Sequence, residues 1–403
     1  MLLLAAVAPV PGQDPGVPEI RGLRLYGRSR ADLPVAFIRR EPMTIEFDIK
    51  AGHPPDLELR FFHYDRNWNL TQTGFVNDEF HNRTRIELPF EFAPVGVKGY
   101  TYHYSFQIPD ERLFGVFLFS GNYEVEIWDT DSDELLGRSR FFVSDTILRP
   151  RMKVDNRQEP SAMNPYYQVN QVEVAFTIPS PDTADGQSYF PLDFNAVDVY
   201  RNRELYRPRR IDTDDRDPQT FVEGFSTHSM VFRIDNILPG NEYRLLDLRN
   251  TDFYPQDRPI RSRDGADLSR FPGRPARDNN GASFLVDGSR YAEYLDFEFE
   301  LLWDTSEEPV FVVGDFNRWM PDRGGPMRFE NGRYRWRTTL RRGRYDYQYV
   351  VGDDWIVLEG NDWRTVNQYT ALVYYRDPRF GGFDRILGVV KGQSPGGTSV
   401  TAH

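Results

Sequence analysis

The sequence predicts an all-β protein built from tandem antiparallel β-sandwiches. Aromatic residues make up 15% of the 403 positions, with 30 Phe and 22 Tyr, and such side chains pack well on pleated sheets. The 29 Pro and 31 Gly are spread along the chain, as expected where many turns join short strands. No long stretch places apolar residues at helical spacing, so the pattern favours sheets throughout.

The N-terminal stretch, MLLLAAVAPVPGQ, is an apolar run of mostly small residues with no Lys or Arg before it. This pattern is typical of a signal peptide that lacks its charged beginning. The run is also too short to span a bilayer as a helix. We therefore expect residues 1–19 to be a signal-peptide remnant with a disordered lead, and the protein to be exported.

Residues 20–145 show the alternation expected of a first sandwich. Met43–Ile49 and Tyr123–Trp128 place apolar side chains on one face and carboxylates on the other. A period of two marks antiparallel strands with one buried face. Leu57–Tyr64 and Tyr100–Ile108 read as further strands. The segment Ser144–Lys153, with Pro150, then predicts a domain boundary.

Residues 150–303 carry a second series of strand patterns, which predicts a second sandwich. Its strands are predicted at Val172–Ile178, Ala196–Tyr200, Met230–Ile234, Tyr243–Leu248 and Tyr291–Trp303. Between the last two, residues 256–281 are charged and rich in Pro and Gly. Unstructured connections of this length are uncommon inside compact domains and are often functional, so this loop is a candidate contact region.

Residues 307–390 predict a third sandwich, and residues 391–403 a disordered tail. The apolar strand Val310–Val313 runs directly into the sequence GDFNRW, and a second strand, Tyr345–Val351, leads into a turn that presents Trp355. The final segment, GQSPGGTSVTAH, has the low complexity of a terminus that is not tied down.

The third sandwich resembles the small immunoglobulin-like fold of glycogen-binding modules. In such modules two exposed aromatic rings stack on glucose, and polar groups of the adjacent strand bind hydroxyls. The resemblance implies that Trp319 and Trp355 occupy the stacking positions, and that Gln348 replaces a lysine common in the family. A glycan-binding protein is therefore the alternative function.

Bulk charge and motifs argue against several other functions. A net charge of −12 disfavours nucleic-acid binding, which needs a positive surface. The absence of Cys excludes disulfides and thiolate chemistry. Adjacent acids such as Asp353–Asp354 arise by chance among 61 acidic residues, and their turn-like setting does not suggest a glycosidase pair. No metal-ligand spacing occurs, so no catalytic residue, metal or cofactor is expected.

Several short blocks, taken in order, resemble a single known family. They include FFHYDRNWNL, SGNYEVEIWD, NEYRLLDLRN, GDFNRW, EGNDWRTVNQYTALVYYR and FDRILGV. In this order, from about Ile20 to Val390, they look like the plug proteins of the type IX secretion system of Bacteroidetes. The family-motif residues, which we interpret as structural, are Asp65, Trp68, Asp315, Asn317, Glu359 and Asn361.

This resemblance implies a non-enzymatic periplasmic protein that docks on the outer-membrane β-barrel translocon. It would seal the periplasmic opening of that pore when no cargo passes. The protein is expected to be monomeric apart from this complex and not to span the membrane itself. It would be held at the inner side of the outer membrane through the translocon. Rigid sandwiches suit such a stopper, because ordering a flexible segment would weaken binding.

Overall fold

The computed structural model describes residues 18–38, 41–78, 81–84, 86–158, 168–180, 187–214, 217–225, 227–270 and 278–395. Apart from its last two residues, the predicted lead 1–19 lies outside these ranges. Nearly all regular structure in the described residues is strand, which confirms the all-β prediction. None of the helices in these ranges has the length and apolar character needed to cross a membrane.

The first unit consists of two four-stranded sheets packed face to face. Its strands are β1 (Glu19–Tyr26), β2 (Val35–Phe37), β3 (Met43–Lys50), β4 (Leu57–Tyr64), β5 (Phe90–Phe92), β6 (Tyr102–Ile108), β7 (Gly121–Asp129) and β8 (Glu134–Ser144). The strand orders are β1-β3-β6-β5 and β2-β8-β7-β4. The alternating apolar residues predicted from sequence, including Phe47 and Val125, form the core between the sheets.

The rest of the chain forms two further units that share the same construction. Their strands are β9 (Arg151–Gln158), β10 (Gln168–Thr177), β11 (Ala196–Arg201), β12 (Arg209–Asp212), β13 (Thr220–Glu223), β14 (Ser229–Ile237), β15 (Arg244–Asp247), β16 (Ile260–Arg261), β17 (Asp267–Leu268), β18 (Ser283–Leu285), β19 (Tyr294–Leu302), β20 (Val310–Gly314), β21 (Arg328–Glu330), β22 (Arg333–Arg341), β23 (Gly343–Val351), β24 (Gln368–Asp377) and β25 (Phe383–Gln393). Single helical turns lie at Pro191–Asp193, Asp315–Asn317, Pro321–Gly324 and Arg379–Gly381.

The second unit is closed by strands from the C-terminal end of the chain. Its sheets are ordered β13-β14-β10-β9 and β12-β11-β24-β25. Conversely, β15, β18 and β19 pair with strands of the third unit. The predicted boundaries, 150–303 and 307–390, therefore differ from the observed sheets. The third unit is inserted between β14 and β24 of the second.

The composition of β24 explains both the pairing and the wrong boundary. Tyr369, Ala371 and Val373 face the core of the second unit. Leu372 and Tyr374, on the opposite face, pack against residues of the first unit. A strand covered on both faces reads as a continuous apolar run. Such a run predicts a strand but contains no information about which distant strand will pair with it.

The third unit includes part of the segment predicted as an unstructured loop. Its sheets are β15-β23-β18, with β20 also paired to β23, and β16-β19-β22-β21, with β17 also paired to β19. Strands β16 and β17 run parallel to β19. The hydroxyls of Tyr347 and Tyr349 donate to Asp267 at 2.7 and 2.8 Å. The prediction for 256–281 was therefore wrong over 256–270, and residues 271–277 lie outside the described ranges.

The start of the predicted disordered tail is also ordered. Strand β25 continues to Gln393, which pairs with Gln368 of β24. Ser394 is buried, and its hydroxyl donates to the Thr365 carbonyl oxygen at 3.0 Å. Sheet hydrogen bonds thus extend the fold beyond residue 391. Residues 396–403 lie outside the described ranges.

Buried polar contacts fix the three units against one another. Arg341 of the third unit lies 3.0 Å from Asp48 of the first, and the Tyr294 hydroxyl donates to the same carboxylate at 2.7 Å. Arg385 of the second unit lies 2.6 Å from Asp145. Removing one partner of such a pair leaves a buried charge uncompensated, so these contacts disfavour separation of the units.

Candidate functional site

The residues predicted to form a glycan platform are buried. Trp319 is 1% exposed and Trp355 is 5% exposed. Both belong to a cluster with Tyr243, Val313 and Val350 that joins the second and third units. Gln348 is buried in β23 opposite Val313. The platform hypothesis required two ring faces open to solvent, so the burial contradicts it. The rings are packing elements because a neighbouring unit covers this side of the third sandwich.

Two of the family-motif residues shape the turn after β4. The Asp65 carboxylate accepts hydrogen bonds from the backbone N–H groups of Asn67 and Asn69 at 2.8 and 2.9 Å. The turn places Trp68 at a φ of 63°. Its ring packs against Phe142, with the Arg140 guanidinium 4.4 Å from the ring centroid. These contacts position the turn at the boundary of the first and second units.

The other motif residues also form structural contacts. Asn317 accepts from the Gly314 N–H and donates to the Val312 carbonyl oxygen, both at 2.9 Å, which closes the GDFN turn. Glu359 accepts from Arg244 Nε at 2.9 Å. Asn361 accepts from the Gly240 N–H at 2.8 Å, while Asp315 lies beside Arg203. Each side chain is thus used to hold a turn or join two elements.

A different set of side chains forms an exposed apolar surface, which we call the apolar tip. It consists of Phe75, Phe119 and Phe380 from three separate connections. Phe75 is 69% exposed and Phe380 is 44% exposed, and their rings stack with centroids 5.1 Å apart. Phe119, which follows Leu118, contacts the Phe380 ring at 5.9 Å. Exposed apolar side chains clustered in this way are typical of interaction sites.

The backbone of the β24–β25 turn projects Phe380 to this position. Phe380 has a φ of 53°, a conformation uncommon for a non-glycine residue. The turn is held by Arg379, which donates to the Asp377 carboxylate at 2.9 and 2.6 Å. Sequence reasoning missed Phe380. The signal available was an aromatic residue beside Gly381 and Gly382 in a turn, where burial is not expected.

Two carboxylates anchor residues 278–281: that of Asp346, which is fully buried, and that of Asp278, which is partly buried. Asp346 accepts from the Asn279 and Gly281 N–H groups at 2.7 and 2.9 Å. Asp278 accepts from the Asn280 N–H at 2.7 Å and from the Tyr243 N–H. Burial, reinforced by the Asp346 charge, raises the pKa of Asp278 to about 7. Burial likewise raises the pKa of Asp346 to about 6.

Replacing Asp278 by Asn is expected to flatten the pH dependence of stability. The pKa of Asp278 is about 7 in the folded chain, above the ordinary 3.8, so the folded state holds a proton that the unfolded state has lost. This contribution to stability is complete below about pH 4 and disappears as the pH rises to 7. Between these pH values we expect the free energy of unfolding of Asp278→Asn to fall by about 3 kcal/mol less than that of wild type.

Urea unfolding at pH 4 and pH 7 measures this difference. The matched control is Asp304→Asn, which changes an exposed aspartate of the same unit and should keep the wild-type pH dependence. An Asp278→Asn profile parallel to the wild-type profile would contradict the assignment.

The described residues contain no group of three His, Asp or Glu side chains suited to a metal ion. The buried His63, which lies in a strand, instead forms hydrogen-bond contacts with Thr71 and with the Ser120 carbonyl oxygen at 2.8 and 3.1 Å. Burial lowers the pKa of His63 to about 4, so this ring is neutral at pH 7. Its neighbourhood is that of a packed sheet histidine.

Comparison with known families bears on the first unit. Residues 20–145 match the family model of the Type 9 secretion system plug protein 1st domain. These are the residues predicted to form the first sandwich. The match supports the family resemblance and a role related to type IX secretion. No curated protein sequence matches the chain.

The fold of the whole chain, and not only of the first unit, can be compared with solved structures. A hypothetical protein from Parabacteroides merdae ATCC 43184 superposes with a TM-score of 0.73 at 18% identity, covering 93% of this chain and 97% of that one. The fold of all three units taken together is therefore similar to that of a known structure. The alignment with a marsupial T cell receptor covers 94% of this chain and 99% of the receptor chain, at 9% identity. Its TM-score is only 0.16, so this match supports no conclusion about the fold. The likeness of residues 307–390 to glycogen-binding modules stays a prediction.

Proposed function

We propose that this chain is a non-enzymatic periplasmic plug of the type IX secretion system. It docks on the outer-membrane translocon and seals the periplasmic opening when no cargo passes. The observation that carries the proposal is the match of residues 20–145 to the plug-domain model. The interlocked units support it, because a stopper that is already rigid loses little conformational entropy on docking.

We further propose that the plug contacts the translocon through the apolar tip. Phe75 and Phe119 belong to the first unit, whereas Phe380 comes from the second unit, so the surface exists only when the two are joined. Arg376 and Arg379, each about half exposed and paired with an aspartate, border it. An apolar centre with a polar border is the usual anatomy of an interface that must also dissociate.

Affinity purification from the native host tests the proposed function. The tagged chain is expressed there and recovered from gently solubilised outer membranes. We expect a very large β-barrel protein in near-equal amount with the wild-type chain. Recovery of the chain alone at every detergent condition would contradict docking on a translocon.

Two double variants then test the contact surface. Phe75→Asp with Phe380→Asp places charges in the apolar tip and should reduce barrel recovery at least 10-fold. The matched control is Phe92→Asp with Phe329→Asp, whose side chains are 71% and 42% exposed elsewhere on the surface. We expect the control to recover the barrel as wild type does. Equal recovery with both double variants would contradict the surface assignment while leaving the docking itself intact.

A further inference from the structure

A cavity of about 410 Å³ lies between the second and third units, and its lining contains no residue of the apolar tip. Arg201, Arg207 and Arg209 of the second unit form part of its lining, and Trp355 and Ile356 of the third unit face them. A cavity of this size accommodates a small organic molecule. Its lining combines guanidinium groups with an aromatic wall.

The three arginines of this lining differ in their partners. Arg201 donates to Glu204 and to the Pro239 carbonyl oxygen, the latter at 2.7 Å. The same oxygen of Glu204, Oε1, also accepts from the Tyr243 hydroxyl at 2.8 Å, so Arg201 and Tyr243 share it. Arg207 and Arg209, by contrast, form no ion pair with any carboxylate in the ranges that the structure describes.

Arg209 lies near other charged groups of the lining. Desolvation by the surrounding protein and the charges of Arg207 and Arg201 lower the pKa of its guanidinium, while the charge of Glu204 acts in the opposite direction. Asp353 and Asp354 also line the cavity. Both aspartates are exposed to solvent, and the Asp354 carboxylate accepts from the Ile356 N–H at 2.7 Å. A bound anion would pair with Arg207 and Arg209, which have no carboxylate partner among the residues that the structure describes.

The aromatic wall places one of these arginines. The Arg207 guanidinium lies 5.3 Å from the Trp355 ring centroid, and Tyr206 packs against the same indole at 5.2 Å. A guanidinium stacked on a ring keeps its N–H donors free along its edge, where a carboxylate or phosphate can accept two of them. Val199, Ile237 and Leu238 add apolar surface beside it.

We propose that this cavity binds a small organic anion. Its carboxylate or phosphate group lies between Arg207 and Arg209, and its apolar body lies against Val199, Ile237 and Leu238. This inference does not depend on the plug function, because none of these residues belongs to the apolar tip.

Titration calorimetry of the full chain tests the site with four probes. Phenyl phosphate and benzoate carry both a charge and an apolar body, whereas phenol lacks the charge and inorganic phosphate lacks the body. We expect saturable binding of phenyl phosphate or benzoate with a Kd at least 10-fold below those of phenol and inorganic phosphate. No saturable binding of either, or equal binding of inorganic phosphate, would overturn the proposal.

Variants assign the binding to these arginines. Arg209→Ala and the double variant Arg207→Ala with Arg209→Ala should each raise the Kd at least 10-fold. Arg209 is exposed and does not pack on Trp355, so its single variant tests the site even if the double variant is poorly folded. The control is Arg249→Ala, which removes an exposed arginine of the third unit. Unchanged binding in Arg209→Ala would overturn the assignment.

Discussion

Replacing Arg203 by Ala is expected to destabilise the folded chain by about 3–5 kcal/mol, because it leaves a buried carboxylate without its partner. Arg203 Nε lies 3.1 Å from Asp315 of the third unit. Its other nitrogens donate to the carbonyl oxygens of Leu25, Arg30 and Asp32 in the first unit, at 3.0, 2.8 and 2.5 Å. One side chain of the second unit therefore joins all three.

Urea unfolding and limited proteolysis measure this effect. Arg249→Ala is the matched control, since it removes an arginine paired with Asp247 in which both side chains are about half exposed. Exposed pairs of this kind contribute about 0–1 kcal/mol. We also expect Arg203→Ala to make the connections between units accessible to protease before the units themselves unfold. A loss of stability no larger than that of the control would show that the Arg203 contacts do not hold the units together.

Replacing Trp319 by Ala is expected to cost about 3–5 kcal/mol, because a fully buried indole leaves a large cavity. The Trp319 ring lies 4.4 Å from the Tyr243 ring, and its Nε1 donates to the Gly281 carbonyl oxygen at 3.0 Å. The residue also has a φ of 58°, which bulky side chains rarely adopt. The Tyr243 ring and the Gly281 backbone hold the indole in this position.

This variant also distinguishes a packing role from a glycan platform. Trp128→Ala is the control, because Trp128 is a partly buried tryptophan of β7 and its loss should cost less than half as much. A stacking tryptophan, by contrast, would leave the free energy of unfolding unchanged on substitution and abolish retention of the wild-type chain on a glucan column. That pair of results would restore the glycan hypothesis.

The candidate surfaces were predictable to different degrees. Phe75 lies five residues after one of the blocks that carry the family resemblance, but being a phenylalanine does not distinguish it from the buried Phe61 or Phe114. Arg203 and Arg209 occur in a segment rich in arginine, RNRELYRPRR. Arg203 is buried between units, whereas Arg209 is exposed at a cavity. These positions depend on residues more than 100 positions away, Asp315 for Arg203 and Trp355 for Arg209. The spacing of residues along the sequence does not reveal contacts between segments so far apart.

The sequence by itself determined the all-β class, the strands β3, β4, β6 and β7 of the first unit and the GDFN turn after β20. These features depend on alternation and turn chemistry within a few residues, which are local properties of the chain. Only the tertiary structure decided that β24 pairs with β11, that the third unit is inserted into the second, and that Trp319 and Trp355 are covered. A strand with two apolar faces is stable against any complementary sheet, and an aromatic ring after a turn suits either solvent or a neighbouring unit. The choice between these outcomes is made by the packing of distant segments, because burial depends on what the rest of the chain places alongside.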